Sequence, residues 1–230
     1  MGMGGYTTIS INDPEYPPLL REYPISSPKV LYRVGKPIPS GKPLIGIVGT
    51  REPSNVGRKL THMIGRELAR RGFVIVTGFS SGVDYEAVMG AMDAGGHVIG
   101  VLPRLYEDLE LTRLVRNDVL SELTSSGYEE YTVVSENLTV EGNEVRKQLA
   151  LRNRIIDGMS ALIIIPETRY KTSNWGTAYH IKFGLRVGKP VLILKPGVPD
   201  WDVWLGYEEF MNAGAKVVQS IDDIINEVRK

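Results

Sequence analysis

Leu44-Ile45-Gly46-Ile47-Val48 runs straight into Gly49-Thr50-Arg51-Glu52-Pro53-Ser54-Asn55, and this junction decides how the rest of the chain is read. Five apolar residues in succession suit a strand covered on both faces, because a strand with one wet face alternates apolar and polar residues. Such runs recur at Phe73-Val74-Ile75-Val76, His97 to Val101, Tyr131-Thr132-Val133-Val134, Ala161 to Ile165 and Val191 to Leu194. Between the first two, Val56, Leu60, Ile64 and Leu68 fall on one helical face, with Ser54 or Asn55 placed to cap its N-terminus. Buried strands alternating with helices predict a doubly wound α/β design around a parallel sheet.

Residues 44–230 are read as one core, closed by a short strand at Lys216-Val217-Val218 and a helix from Ser220 with Asp222 and Asp223 in its first turn. Trp201, Trp204 and Tyr207 recur at helical spacing and are expected to pack. Residues 1–43 differ, being rich in Pro and Tyr with one strand-like run from Lys29 to Val34. They are expected to form an extension packed on the edge of the core.

With 230 residues, 42% of them hydrophobic, the chain is long enough to bury a core. Its 27 basic and 27 acidic residues cancel, which argues against a general basic coat, so an anion site has to be local. Zero cysteines exclude disulfides and thiolate metal sites, and the three histidines, His62, His97 and His180, are isolated; no metal site is expected. No run reaches the roughly 18 apolar residues of a membrane helix, and the N-terminus lacks the charged and apolar regions of a signal peptide. A cytoplasmic setting without membrane contact is the expectation.

In open α/β sheets ligands bind where strands end and helices begin, because helix N-termini offer unpaired N–H groups and partial positive charge. Three such loops are rich in Gly, Ser and Thr: Gly49 to Asn55, Gly78-Phe79-Ser80-Ser81-Gly82-Val83-Asp84, and Pro166 through Thr172-Ser173-Asn174-Trp175-Gly176-Thr177. To these add Arg152-Asn153-Arg154 ahead of the strand at Ala161. Two arginines two apart fan to different sides of a helix; each serves as readily in a structural ion pair as in gripping phosphate. The joint position of the loops favours a phosphate cradle.

Familiar nucleotide fingerprints are missing. Gly46-x-x-Gly49 is not a G-x-G-x-x-G turn, no acid follows the second strand to hold a ribose, and Gly57-Arg58-Lys59 lacks the spacing of a Walker A loop. No cofactor is expected. Gly78-x-Ser80-x-Gly82 has the form of a nucleophile elbow, but His97 starts a strand and His180 lies in a predicted helix, neither being the late-loop base that the chemistry requires. The simpler reading has the glycines turning the chain while Ser80 or Ser81 caps the next helix and Asp84 sits in its first turn.

Taken in order, these blocks resemble the DNA-processing protein A (Smf) family from about Tyr16 to Gly197: Val30-Leu31-Tyr32-x-x-Gly35, Ile47-Val48-Gly49-Thr50-Arg51, Thr77-Gly78-Phe79-Ser80-Ser81-Gly82-Val83-Asp84, Ser135-Glu136, Arg152-Asn153-Arg154-Ile155-Ile156, Gly188-Lys189-Pro190 and Pro196-Gly197. The chain departs from the family pattern at Ala87-Val88, Leu149 and Thr172-Ser173-Asn174, and it has the length of a minimal core. The resemblance implies an extended Rossmann-like domain with a mostly parallel sheet. It also implies a non-catalytic, commonly dimeric protein that binds and protects single-stranded DNA and helps load a recombinase of the RecA type during DNA uptake and recombination. The DNA or phosphate contacts carried over are Gly49, Thr50, Arg51, Gly78, Ser80, Ser81, Gly82, Arg152, Asn153 and Arg154, with Ser173 and Thr177 from the third loop.

Two other readings use the same pocket. One is a nucleotide-binding sensor; the other is an enzyme resembling the phosphoribohydrolases, whose loop glutamate has His180 in its place here, leaving Glu167 as the substitute carboxylate.

Overall fold

The computed structural model describes residues 5–105, 118–170 and 176–229. Nine strands form one sheet: β1 (Thr7–Ser10), β2 (Val30–Gly35), β3 (Leu44–Ile47), β4 (Val74–Thr77), β5 (Val98–Val101), β6 (Tyr131–Ser135), β7 (Leu162–Ile165), β8 (Val191–Leu194) and β9 (Lys216–Val218). Their order is β1-β2-β6-β5-β4-β3-β7-β8-β9. The seven strands from β6 to β9 in this order pair in parallel; β2 joins β6, and β1 joins β2, in antiparallel register. Every residue of β3, β4, β5, β7 and β8 is buried, as their unbroken apolar runs require.

The helices are α1 (Pro18–Arg21), α2 (Asn55–Arg70), α3 (Val83–Asp93), α4 (Asp118–Ser125), α5 (Val145–Leu151), α6 (Asn153–Met159), α7 (Tyr179–Phe183), α8 (Trp201–Asn212) and α9 (Ile221–Val228). One face of the sheet packs Ile64 and Leu68 of α2, Ala87 and Val88 of α3 and Ile224 of α9 against Ile45, Ile75 and Ile164. The other packs Leu20 of α1, Ile155, Ile156 and Met159 of α6 and Phe210 of α8 against Val76, Ile163 and Ile193. The extension therefore enters the second core through Ile9, Tyr16, Leu20 and Leu31, with Tyr16 donating its hydroxyl to Pro28 O at 2.6 Å.

Ser54 caps α2, its Oγ accepting from Gly57 N at 3.0 Å, and Ser220 and Asp223 form a reciprocal capping box on α9. Two details differ from the sequence reading. Val56 is exposed, so the buried stripe of α2 begins at Gly57 and continues through Thr61, Ile64 and Leu68. Trp201 is also exposed, so the buried stripe of α8 begins at Val203 and continues through Tyr207 and Phe210.

Strand order and chain order diverge at β3. The chain runs outward through β4, β5 and β6, then returns to β3's other side as β7, β8 and β9. A crevice opens at such a reversal, at the carboxyl ends of the strands, where the neighbouring crossovers leave on opposite faces.

Candidate nucleic-acid interface

The crevice holds a cavity of about 930 Å³ whose wall includes Gly49, Thr50 and Arg51 after β3, Ser80 and Asp84 after β4, Arg152 and Asn153 at the start of α6, and Thr177 before α7. The peptide of Thr50 binds the three loops to one another. Its N–H donates to Glu167 O at 3.0 Å, and its carbonyl accepts from Val83 N at 3.0 Å. A Cβ at Gly49 would lie 2.5 Å from Glu167 O and 2.7 Å from Val83 Cγ2; one at Gly82 would lie 2.5 Å from Thr50 O. Gly82 adopts φ +77°, a left-handed conformation in which glycine alone is unstrained.

The turn after β4 is held from below. Asp84 Oδ2 accepts from Gly78 N at 3.0 Å and Ser80 N at 3.2 Å. That grip fixes Phe79 at φ +50°, unusual for a bulky residue, with its ring buried against Gly100. Neither Ser80 nor Ser81 caps α3; Gly82 occupies the cap position, and the acid of the first turn does the holding that the hydroxyls were expected to do. The residue with the strained backbone is Phe79, whereas an elbow nucleophile would itself sit at that point.

Arg152 lies at the joint between α5 and α6 and is 5% exposed. Its Nη2 donates to Gly78 O at 3.2 Å and Ser80 Oγ at 3.3 Å, and a Cβ on Gly78 would overlap the guanidinium. Its Nε has no hydrogen-bond partner among the described residues. Burial lowers its pKa to about 10, opposed by the charge of Asp84, so it remains cationic at neutral pH. Burial likewise raises the Asp84 carboxyl, with Arg152 and the two N–H groups opposing. Arg51 is exposed at the rim and makes no ion pair among the described residues.

The remaining expected contacts divide by position. Asn153 Nδ2 donates to Gly176 O at 3.0 Å, anchoring the end of the third loop, and Thr177 is buried in the wall. Gly78 and Gly82 support the floor from beneath, and Ser81 is off the wall. Ser173 lies outside the described residues. Arg154 is turned away: Nη1 and Nη2 meet both oxygens of Glu136 at 2.7 and 2.6 Å, and Nε donates to Ser26 O at 3.0 Å. Its position two residues from Arg152 on a helix turn puts it on the side facing the N-terminal extension, so the expectation that it lines the trough is corrected.

Arg146, Lys147, Tyr179 and Lys182 also line the cavity, though the sequence reading did not assign them to it. The signal was present in Tyr179, Lys182 and Phe183, which fall at i, i+3 and i+4 of one helix face. Tyr179 and Phe183 stack with centroids 5.3 Å apart, and Lys182 Nζ lies 5.6 Å from the Phe183 ring. Beside them His180 Nδ1 bonds Asp157 Oδ1 at 2.5 Å within the core. Glu167 is fully engaged elsewhere, accepting from Ser54 N at 2.7 Å and Ser54 Oγ at 2.6 Å and packing on Gly57, so it does not serve as the substitute carboxylate of a glycosidic hydrolase.

The wall brings the hydroxyls of Thr50 and Ser80, the guanidiniums of Arg51, Arg146 and Arg152 and the ammonium groups of Lys147 and Lys182 together with the Tyr179 and Phe183 rings, a lining that can take both phosphates and planar bases. Comparison with known proteins places the chain in a family. Smf of Synechocystis is 32% identical over 218 residues, which cover 93% of this chain and 52% of that protein. The chain thus spans about half of that relative's length. The X-ray structure of DNA processing protein A from Streptococcus pneumoniae superposes with a TM-score of 0.78 at 26% identity, covering 96% of this chain and 74% of the other. For DNA processing protein A from Helicobacter pylori the TM-score is 0.73 at 24% identity, covering 97% and 95%, a likeness of fold. Residues 7–229 match the family of DNA recombination-mediator protein A, and the chain belongs to that family.

Proposed function

We propose that this chain binds single-stranded DNA through its phosphates along the trough, without cleaving it, and that as a homodimer it shields the strand and helps a RecA-type recombinase to load. The observation that carries the reading is Arg152: a buried guanidinium laid on Gly78, its Nε unpaired among the described residues, beside a cavity whose rim carries Arg51. A buried cation without a carboxylate bonded to it is costly unless an anion completes it. Phosphate contacts of this kind are indifferent to sequence. Support also comes from the H. pylori neighbour, a structure described for its single-stranded DNA binding mode, and from the family's recombination-mediator description.

Fluorescence anisotropy of a labelled oligo-dT over a salt series tests it. Affinity should fall with salt, by about 0.7 in the log–log slope for each phosphate neutralised. Arg51→Ala should weaken binding and flatten that slope by about one contact. Absence of binding overturns the reading.

A second reading, a nucleotide hydrolase, draws on one feature: buried Asp157 orients the His180 imidazole in the cavity wall, the order of a carboxylate-steered base. Release of free base from nucleoside monophosphates, abolished in His180→Gln, would favour it.

A further inference from the structure

We propose that Trp201 is a stacking platform for an unpaired nucleobase of the strand whose phosphates lie in the trough, an inference that rests on the single-stranded DNA reading above. Of the four aromatic residues along α8, three are built in, Phe210 fully buried in the core. Trp204 Nε1 donates to Val198 O at 2.9 Å, and its ring meets buried Tyr207 edge-on with centroids 5.7 Å apart. Trp201 is instead 71% exposed, the most exposed of the large apolar side chains described. An indole left in water on a helix whose other rings pack is a surface awaiting a partner.

Its position selects the partner. β8 lies two strands from β3, so the loops that follow them are about 10 Å apart on the same edge of the sheet. A single side chain spans that gap: Arg169 Nε donates to Glu52 O at 2.7 Å, and its Nη1 meets Asp200 Oδ2 at 2.8 Å. The residue after Arg51 is thereby tied to the residue before Trp201. Asp200 also accepts from Asp202 N at 3.1 Å, fixing the first turn of α8. Tyr170, adjacent to Arg169, adds a second exposed ring. The platform is thus fixed relative to the trough rather than carried on a loose loop.

Among the described residues, the N-terminus of α8 carries no free cation for a phosphate to meet: its capping Asp200 is paired with Arg169, whereas the exposed indole offers its neutral face to a base. Every base has a π-face, so stacking on Trp201 needs no particular sequence and complements the sequence-blind grip on phosphates. A strand leaving the trough past Arg51 meets this ring next.

The test uses labelled oligo-dT with wild type, Trp201→Ala and Trp201→Phe, followed by anisotropy at several salt concentrations and by intrinsic tryptophan emission. Trp201→Ala should lose at least about fivefold in affinity with an unchanged salt slope, the opposite signature to Arg51→Ala. Trp201→Phe should keep most of the affinity while losing most of the emission quench that the wild type shows on binding. Equal binding and equal quench by wild type and both variants overturns the proposal alone. So does unchanged DNA affinity together with a changed sedimentation coefficient in Trp201→Ala, which assigns the face to a second copy of the chain. Failure of the wild type itself to bind removes both this proposal and the reading beneath it.

Discussion

Arg152 and Arg154 belong to one short helix boundary, carry the same group and are buried to similar depth, yet they occupy opposite environments. Around Arg154 the protein supplies four acceptors to the guanidinium's five N–H groups, two carboxylate oxygens of Glu136 and the carbonyls of Ser26 and Leu151. Around Arg152 the described residues supply one carbonyl and one hydroxyl at the long end of hydrogen-bond distance, leave Nε unpaired, and keep Asp84 occupied with two backbone N–H groups. A saturated arginine holds the extension to the core; an unsaturated one is available to a ligand. Residue type and burial do not separate the two roles, but the count of matched donors does.

Breaking Arg154 tests the saturated side and carries the largest expected effect. Arg154→Met leaves Glu136 and Ser26 O without their donor, and side chains that are 10% and 20% exposed in the pair place the loss near roughly 3 kcal/mol. For a chain of this size that is about 6–12 °C in thermal midpoint. Oligo-dT affinity per folded molecule should stay within about twofold, and a loss of DNA binding at unchanged melting would reverse the assignment of the two arginines.

Arg152→Met should do the converse. Its stability cost should be smaller than for Arg154→Met, because Asp84 loses a neighbouring charge that favours its ionised form but keeps its two backbone N–H bonds. If the trough holds DNA as proposed, the same change removes a phosphate contact from its floor, and affinity should drop at least about tenfold, in line with a charge-assisted bond of roughly 1.5–3 kcal/mol. A variant that melts far below wild type would show Arg152 to be structural after all. Gly78→Ala sharpens the point without touching either arginine. Its methyl group would occupy the place of the Arg152 guanidinium, which lines the cavity and would have to shift. The expected result is a fewfold change in oligo-dT affinity, smaller than for Arg152→Met, with a cooperative melt retained.

The two arginines also mark how far the sequence could be read. The central strands were visible as unbroken apolar runs because a strand buried on both faces has no polar position to interrupt it. The convergence of the three loops was legible too, since strand-to-helix turns of a parallel sheet share one edge. The short β1 pairs only with β2 and shows a single buried residue, Ile9, which leaves almost no pattern to detect. Which arginine faces the trough turned on α6 starting only at Asn153 and on Glu136 meeting Arg154, a tertiary pairing that periodicity does not encode. Trp201 escaped for a related reason: helical spacing gives three aromatics one stripe, but tertiary packing decides how many of them are covered.

His97 extends the comparison to a buried base that can give up its charge, and carries the smallest expected effect. Thr132 donates its hydroxyl to Lys36 O at 2.8 Å, so toward His97 Nε2, at 2.7 Å, it accepts, which fixes the neutral ring with its proton on Nε2. Nδ1 faces the Glu130 carboxylate 3.6 Å away. Burial lowers the His97 pKa from its ordinary value, and Glu130 opposes this only in part. The folded state therefore holds this proton less tightly than the unfolded chain, whose histidine titrates near 6.5. The stability involved is present above about pH 6.5 and is lost as pH falls from there through the lowered folded value. His97→Gln, which can still donate to Thr132, should narrow the difference in melting temperature between pH 7.5 and 5.5 by of order 1–2 °C. A drop of the same size in variant and wild type would mean that Glu130 stabilises the imidazolium as completely as Glu136 satisfies Arg154, and donor matching rather than burial would then govern the histidine as well.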